Sequence, residues 1–157
     1  MGNLLAAVGA AQTNINRLAR PDDLRAAAEE ISKVAQSSGA QALLAASPVA
    51  ERLVGAVLLI SDDLVNLNGF VGSNGFPGEN KRVLIVDVNL ASGTAVAQAA
   101  RTARSAGAQY VQAAVLHQVT CITAGAAACG VDDLVVLTDA EHADDEPCGS
   151  TSSGLFW

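Results

Sequence analysis

The sequence predicts an α/β protein, a doubly wound parallel sheet in a single domain. Short apolar runs alternate with stretches of helical periodicity, the order that lays helices on both faces of a parallel sheet. One run, VLIVDV at residues 83 to 88, is almost unbroken β-branched and aliphatic, as in strands covered on both faces. The string GAQ occurs at residues 39 to 41 and again at 107 to 109, each time as a helix-ending glycine leading into an apolar strand. Two strand-helix-strand units are the economical reading, with a ligand site beyond the carboxyl ends of the strands.

The first helix starts at Pro21, whose backbone angle is already helical, and Asp22 and Asp23 place negative charge at the positive end of the helix dipole. Leu24, Ala27, Ala28, Ile31, Val34 and Ala35 recur at helical spacing until Ser37, Ser38 and Gly39 end it. Gln41 to Ala46 is a short apolar strand. Ser47-Pro48 then supplies an N-cap and a first helical residue for a helix over Val49 to Leu59. From Ser61 to Asn80 the pattern dissolves into Asp, Asn and Gly, which predicts a functional loop or a short hairpin.

Lys81 and Arg82 precede the strand at 83 to 88, and the loop NLAS leads into a helix. Val96, Ala99, Ala100 and Ala103 form its inner stripe, with Gln98, Arg101 and Arg104 outward, and Gly107 ends it. Tyr110 to Leu116 is the next strand, Thr120 to Cys129 a further small-residue helix, and Leu134 to Leu137 the last strand. Residues 1 to 139 therefore form the α/β domain. Residues 140 to 157 form an acidic, Ser/Gly-rich tail ending in Leu155-Phe156-Trp157, whose aromatics favour docking on this or another subunit.

Composition narrows the function. The 157 residues are 50% hydrophobic with alanine the commonest type, 3% aromatic and 16% charged, and this low charge excludes general disorder and hints at surface buried against a partner. A homo-oligomer, a dimer first, is expected. The net charge of −7 opposes a polymer nucleic acid as ligand. No apolar run approaches the roughly 18 to 20 residues that span a bilayer. The leading segment carries no positive charge, so no signal peptide is expected. Cys121, Cys129 and Cys148 cannot all pair and lack CxxC spacing, which suits reduced thiols in the cytoplasm.

The chemistry lies in VLIVDVNLASGTA, residues 83 to 95. A buried strand delivers Asp87 to its carboxyl end. The small-residue turn Ala91-Ser92-Gly93-Thr94-Ala95 then opens straight into a helix, with unpaired backbone N–H groups, the helix dipole and two hydroxyls on one phosphate-sized spot. It is not a P-loop, because no Gly-Lys-Ser/Thr follows, and GxGxxG is absent. An ordinary strand-helix connection capped by Ser92 is the structural alternative.

This segment resembles the signature of the type I phosphoribosyltransferase family, most closely the adenine phosphoribosyltransferase branch, where a VLIVDD-type strand runs into LLATGGTA. The resemblance runs from Val83 to the strand AAVL and, more loosely, covers the helix from Pro21 and the unit from Gln41. The motif is degenerate: Val88 replaces the second acidic residue, Thr94 stands where a second glycine is usual, and Ala95 replaces a hydroxyl residue. The resemblance implies that Asp87 contacts the ribose of phosphoribosyl pyrophosphate as the catalytic carboxylate. It implies that Ala91, Ser92, Gly93, Thr94 and Ala95 hold the 5′-phosphate. Ser47 and Arg52 fall at the pyrophosphate loop, which reads AASPVAER, and the 61 to 80 loop would recognise the base. Mg²⁺ is the implied cofactor, bridging ribose and pyrophosphate, with no residue assigned as a direct metal ligand. Two functions stay open: phosphoribosyl transfer in nucleotide metabolism, or a non-catalytic module of the same fold acting in oligomer or partner binding.

Overall fold

Five parallel strands form one sheet in a computed structural model that describes residues 2–69, 81–119 and 125–137. In chain order the elements are α1 (Gly2–Arg17), α2 (Pro21–Ser38), β1 (Ala42–Ala45), α3 (Pro48–Ile60), β2 (Val65–Asn66) with a 3₁₀ turn at Leu67–Gly69, β3 (Arg82–Leu90), α4 (Thr94–Ser105), β4 (Tyr110–Gln118) and β5 (Asp133–Val136). The strand order is β2-β1-β3-β4-β5. Successive connections thus leave β1 in one direction and β3 in the other, so the switch point lies between these two strands.

Both faces of the sheet are covered. Period-2 alternation sends Ala42, Leu44, Val83, Ile85, Val111, Ala113 and Val115 to one side, where Val96, Ala99, Ala100 and Ala103 of α4 meet them. On the other side Leu43, Leu84, Val86, Ala114 and Leu116 pack against Ala28, Ile31 and Ala35 of α2 and Leu53, Val54 and Val57 of α3. The abundance of alanine has its use here, because small side chains let α4 lie close to the strands. The doubly wound α/β architecture expected from sequence is what the chain adopts.

Helix boundaries follow their local chemistry. Pro21 begins α2, and Gly39, in the left-handed region at φ 70°, ends it by turning its N–H back to Gln36 while Ala40 N–H reaches Ala35. Ser47 caps α3, accepting from Ala50 N–H, with Pro48 at the first helical position.

Four features differ from the sequence expectation. Residues 2 to 17 form a helix, α1, that was not foreseen. Within the expected loop at 61 to 80, residues 65 and 66 pair in parallel with β1 and become the sheet's edge strand, a segment too short to leave a periodic signal; residues 70 to 80 lie outside the described residues. The strand holding Asp87 runs on to Leu90, because Asn89 and Leu90 keep their pairing with His117 and Gln118 of β4. Of the helix expected over 120 to 129, the described part is only a turn at 126 to 130. There Gly130, at φ 69°, lets Val131 N–H return to Ala126 and stops the chain from continuing.

Cys129 is fully buried among apolar side chains, and this desolvation pushes its thiol pKa up. Cys121, Cys148 and the tail from 140 to 157 lie outside the described residues. Among the described residues no helix is long and apolar enough to cross a membrane.

Candidate functional site

The carboxyl ends of β1 and β3 meet at the switch point, and there two residues forty positions apart touch. Ser47, just past β1, donates its hydroxyl to Oδ1 of Asp87 at 2.7 Å. The backbone N–H of Val88 donates to the same oxygen at 2.8 Å. Asp87 is 4% exposed. Burial pushes its carboxyl above the ordinary aspartate value, and the bonds from Ser47 and Val88 pull it partly back. A desolvated carboxylate held by neutral donors costs stability, and in a cleft it marks a candidate functional group.

Asp87 opens onto a cavity of about 110 Å³ lined by Asp87 and by Asn89 to Val96. That is room for more than one water and less than the roughly 300 Å³ that encloses a whole small-molecule ligand. One phosphate group is the right scale. Most of the remaining lining is the turn into α4. Gly93 stands at the N-cap position with φ 84° and ψ 2°, a left-handed conformation that disfavours side chains. Ser92 and Thr94, on either side, share a hydroxyl-hydroxyl hydrogen bond of 2.9 Å, and Thr94 N–H reaches Ser92 Oγ at 3.4 Å. Gly93, and not Ser92, occupies the cap, while the exposed Ser92 hydroxyl is shared between Thr94 N–H and the Thr94 hydroxyl. The first-turn amides of α4 and its dipole add positive potential at this spot.

Seven expected site residues are thus placed together: Asp87, Ala91, Ser92, Gly93, Thr94 and Ala95 line the cavity, and Ser47 reaches it through Asp87. Arg52 is not brought in. It sits exposed on α3 and is not among the lining residues, so the cavity has no Lys or Arg among the described residues. Arg82 lies at the other end of β3, with its guanidinium 4.2 Å from the Tyr110 ring centroid and its Nε donating to the Ser38 carbonyl. His117 pairs with Asn89 in register at the end of β4. Asn89 itself is a lining residue that the sequence reading passed over, since its place depends on β3 continuing to Leu90.

Ser47 therefore serves first as the holder of Asp87. Its one proton goes to the carboxylate and its oxygen accepts from Ala50 N–H. Ser47→Ala is expected to cost about 1 kcal/mol through the lost cap. It also removes a donor to the charged form, so the Asp87 pKa should rise further, measured by NMR titration of its side-chain carbonyl. An unchanged titration would show that this hydroxyl does not hold the carboxylate.

No family model matches the chain, and no curated protein sequence is similar to it. Among solved structures it is similar to the purine phosphoribosyltransferase from Pyrococcus horikoshii Ot3, with a TM-score of 0.48 and 16% identity over 74% of this chain and 83% of that one. It is also similar to the hypoxanthine phosphoribosyltransferase from Trypanosoma cruzi complexed with the product IMP, with a TM-score of 0.42 and 12% identity over 73% of this chain and 71% of that one. Both are likenesses of chain trace at low identity.

Proposed function

We propose that this chain is a phosphoribosyltransferase-like protein that binds phosphoribosyl pyrophosphate or a nucleoside monophosphate and transfers phosphoribose to a nucleobase. The observation that supports it is the meeting of a buried Asp87 with the Ser92-Gly93-Thr94 turn in one phosphate-sized cavity at the switch point. The sequence resemblance at residues 83 to 95 supplies the ligand class. In this reading the 5′-phosphate sits on the turn and the α4 amides, and Asp87 faces the ribose. Transfer breaks the bond from the anomeric carbon to the pyrophosphate oxygen and forms one to a base nitrogen, which loses its proton. Positive charge builds on the sugar between these events, where a desolvated carboxylate is most effective.

The donor set fits a Mg²⁺ carried by the ligand's own phosphates, since such ions use one or two carboxylates plus phosphate oxygens. Among the described residues Asp87 is the one carboxylate lining the cavity, and these residues hold no group of three His, Cys, Asp or Glu side chains suited to a metal. When bound, the ion neutralises the departing pyrophosphate. A cytoplasmic homo-oligomer, a dimer first, goes with this reading.

The cavity's lack of a lysine or arginine favours a second reading, a non-catalytic module that keeps the phosphate site and acts through association. Thermal unfolding with phosphoribosyl pyrophosphate and Mg²⁺ tests both. A ligand at about 100 times its dissociation constant adds roughly 2.7 kcal/mol, a rise of roughly 5–10 °C for a chain of this size. Binding with release of pyrophosphate on adding a base supports transfer. Binding without release supports the module, and no shift with this ligand or any nucleoside monophosphate sinks both.

A further inference from the structure

Helix α3 is apolar on every side along its last two turns, where residues 53 to 60 read LVGAVLLI. Leu53, Val54 and Val57 are buried against the sheet, with Ala56 and Leu58 half-buried beside them. The opposite side carries Arg52, Gly55 and Leu59, successive neighbours on one helix face and all exposed, with Ile60 at its edge. Leu59 is 88% exposed and Ile60 48%. A helix that is apolar all round belongs in an interior, so this side calls for a cover. Gly55 points the same way. Glycine in mid-helix costs stability, and its own chain does not require it here, because a side chain at residue 55 would meet nothing within 4 Å. The missing side chain makes room for something that approaches from outside. Arg52, towards one end of this face, and Asp62, just past the other, are exposed, and neither makes an ion pair among the described residues.

We propose that this face of α3 is the interface with a second copy of the chain, two α3 helices packing antiparallel across a twofold axis at the level of Val57. The face is complementary to itself. Antiparallel pairing centred there sets Leu59 of each copy into the gap left by the partner's Gly55 and brings Arg52 toward the partner's Asp62. Both contacts occur twice, as an isologous interface requires. Parallel pairing would instead set Leu59 on Leu59 over an open gap and Arg52 against Arg52. The glycine lets the two axes approach to roughly 8 Å, the close end of helix packing. A helix of 13 residues is about 20 Å long, so this pairing is smaller than a standard interface of roughly 800 Å² a side, and the dimer should dissociate in the micromolar range. The inference names the surface of the homo-oligomer expected from composition, and it does not depend on the sugar-phosphate reading.

The test is sedimentation of the full chain across the micromolar range, where the wild type should pass from monomer to dimer as its concentration rises. Leu59→Glu changes a side chain that touches little of its own subunit, so the dilute monomer should keep its thermal midpoint while the dimer weakens by roughly tenfold or more. Gly55→Gln brings in a better helix former, so the dilute monomer should be at least as stable, yet the new side chain blocks the approach and the dimer should weaken. Charge tests the register. Arg52→Asp should weaken the dimer several-fold, and adding Asp62→Arg should recover it. A dimer that survives both Leu59→Glu and Gly55→Gln overturns this surface and leaves the homo-oligomer standing, and failure of the Asp62→Arg rescue overturns the antiparallel register. A monomeric wild type overturns the homo-oligomer and this inference together. A dimer that appears only after residues 140 to 157 are removed makes that segment the occupant of the face in the full chain, and overturns the inference as well.

Discussion

Asp87→Asn should make the protein more stable at pH 7 and, on the proposed function, slow phosphoribosyl transfer by roughly 10²–10³-fold. The two effects share one cause. The carboxylate is buried, and desolvation holds its folded-state pKa above the unfolded value. Between the two pKa values the folded chain binds more protons than the unfolded chain, so stability falls as pH rises through that window. The contribution from the protonated carboxyl is fully present below the unfolded pKa and is gone above the folded pKa. Asparagine has nearly the same shape, and its oxygen can still accept from Ser47 and Val88 N–H. It stays neutral at every pH. Denaturation curves at several pH values should therefore show the variant lacking this fall and standing above the wild type at neutral pH. A variant less stable than wild type at pH 7 would mean that the charge is compensated by a partner and does not mark a site kept for function.

Much of the fold was legible because its signals are local. Helices α2, α3 and α4 announce themselves through Pro21, Ser47-Pro48 and the Val96, Ala99, Ala100, Ala103 stripe, and each of these residues does in the fold what its chemistry suggests. Strand β3 is readable because a strand covered on both faces is apolar without alternation, as Val83 to Val86 are. Helix α1 escaped notice although Ala11, Ile15 and Leu18 keep helical spacing, since its buried side is interrupted by Asn14. That interruption makes sense only once Asn89, 75 positions away in sequence, is opposite it.

The site was legible in part for the same reason. The run from Asp87 to Ala95 is contiguous, so its cavity could be anticipated from one strand and one turn. What binds to what across the switch point could not, because the Ser47 hydroxyl could equally have faced a ligand, and only the parallel pairing of β1 with β3 turns it to Asp87. Arg52 shows the opposite failure. Nearness in sequence to Ser47 made it a candidate cation, but at five residues further along α3 it is carried round the helix to solvent.

Gly93→Val is expected to remove phosphate binding while leaving the chain folded. At φ 84° the glycine holds a backbone conformation that costs an ordinary side chain roughly 1–2 kcal/mol, and a β-branched residue more, because its Cβ substituents crowd the same carbonyl. The sheet and its two apolar layers do not pass through this turn, so that strain should lower stability without abolishing folding. The turn itself has a cheaper escape, which is to flip into an ordinary conformation. Flipping would re-aim the N–H groups at the start of α4 and part the 2.9 Å pair of Ser92 and Thr94 hydroxyls, so the anion would lose its donors together. Titration with ribose 5-phosphate should then show a loss of more than tenfold, beyond a single hydrogen bond to a charged group. Gly93→Asn separates conformation from bulk, since asparagine enters the left-handed region with far less strain. It should keep the thermal midpoint close to wild type and retain more binding than valine. If valine binds the sugar phosphate as well as glycine does, the left-handed cap is not what shapes the cavity, and the phosphate assignment for residues 91 to 95 fails with it.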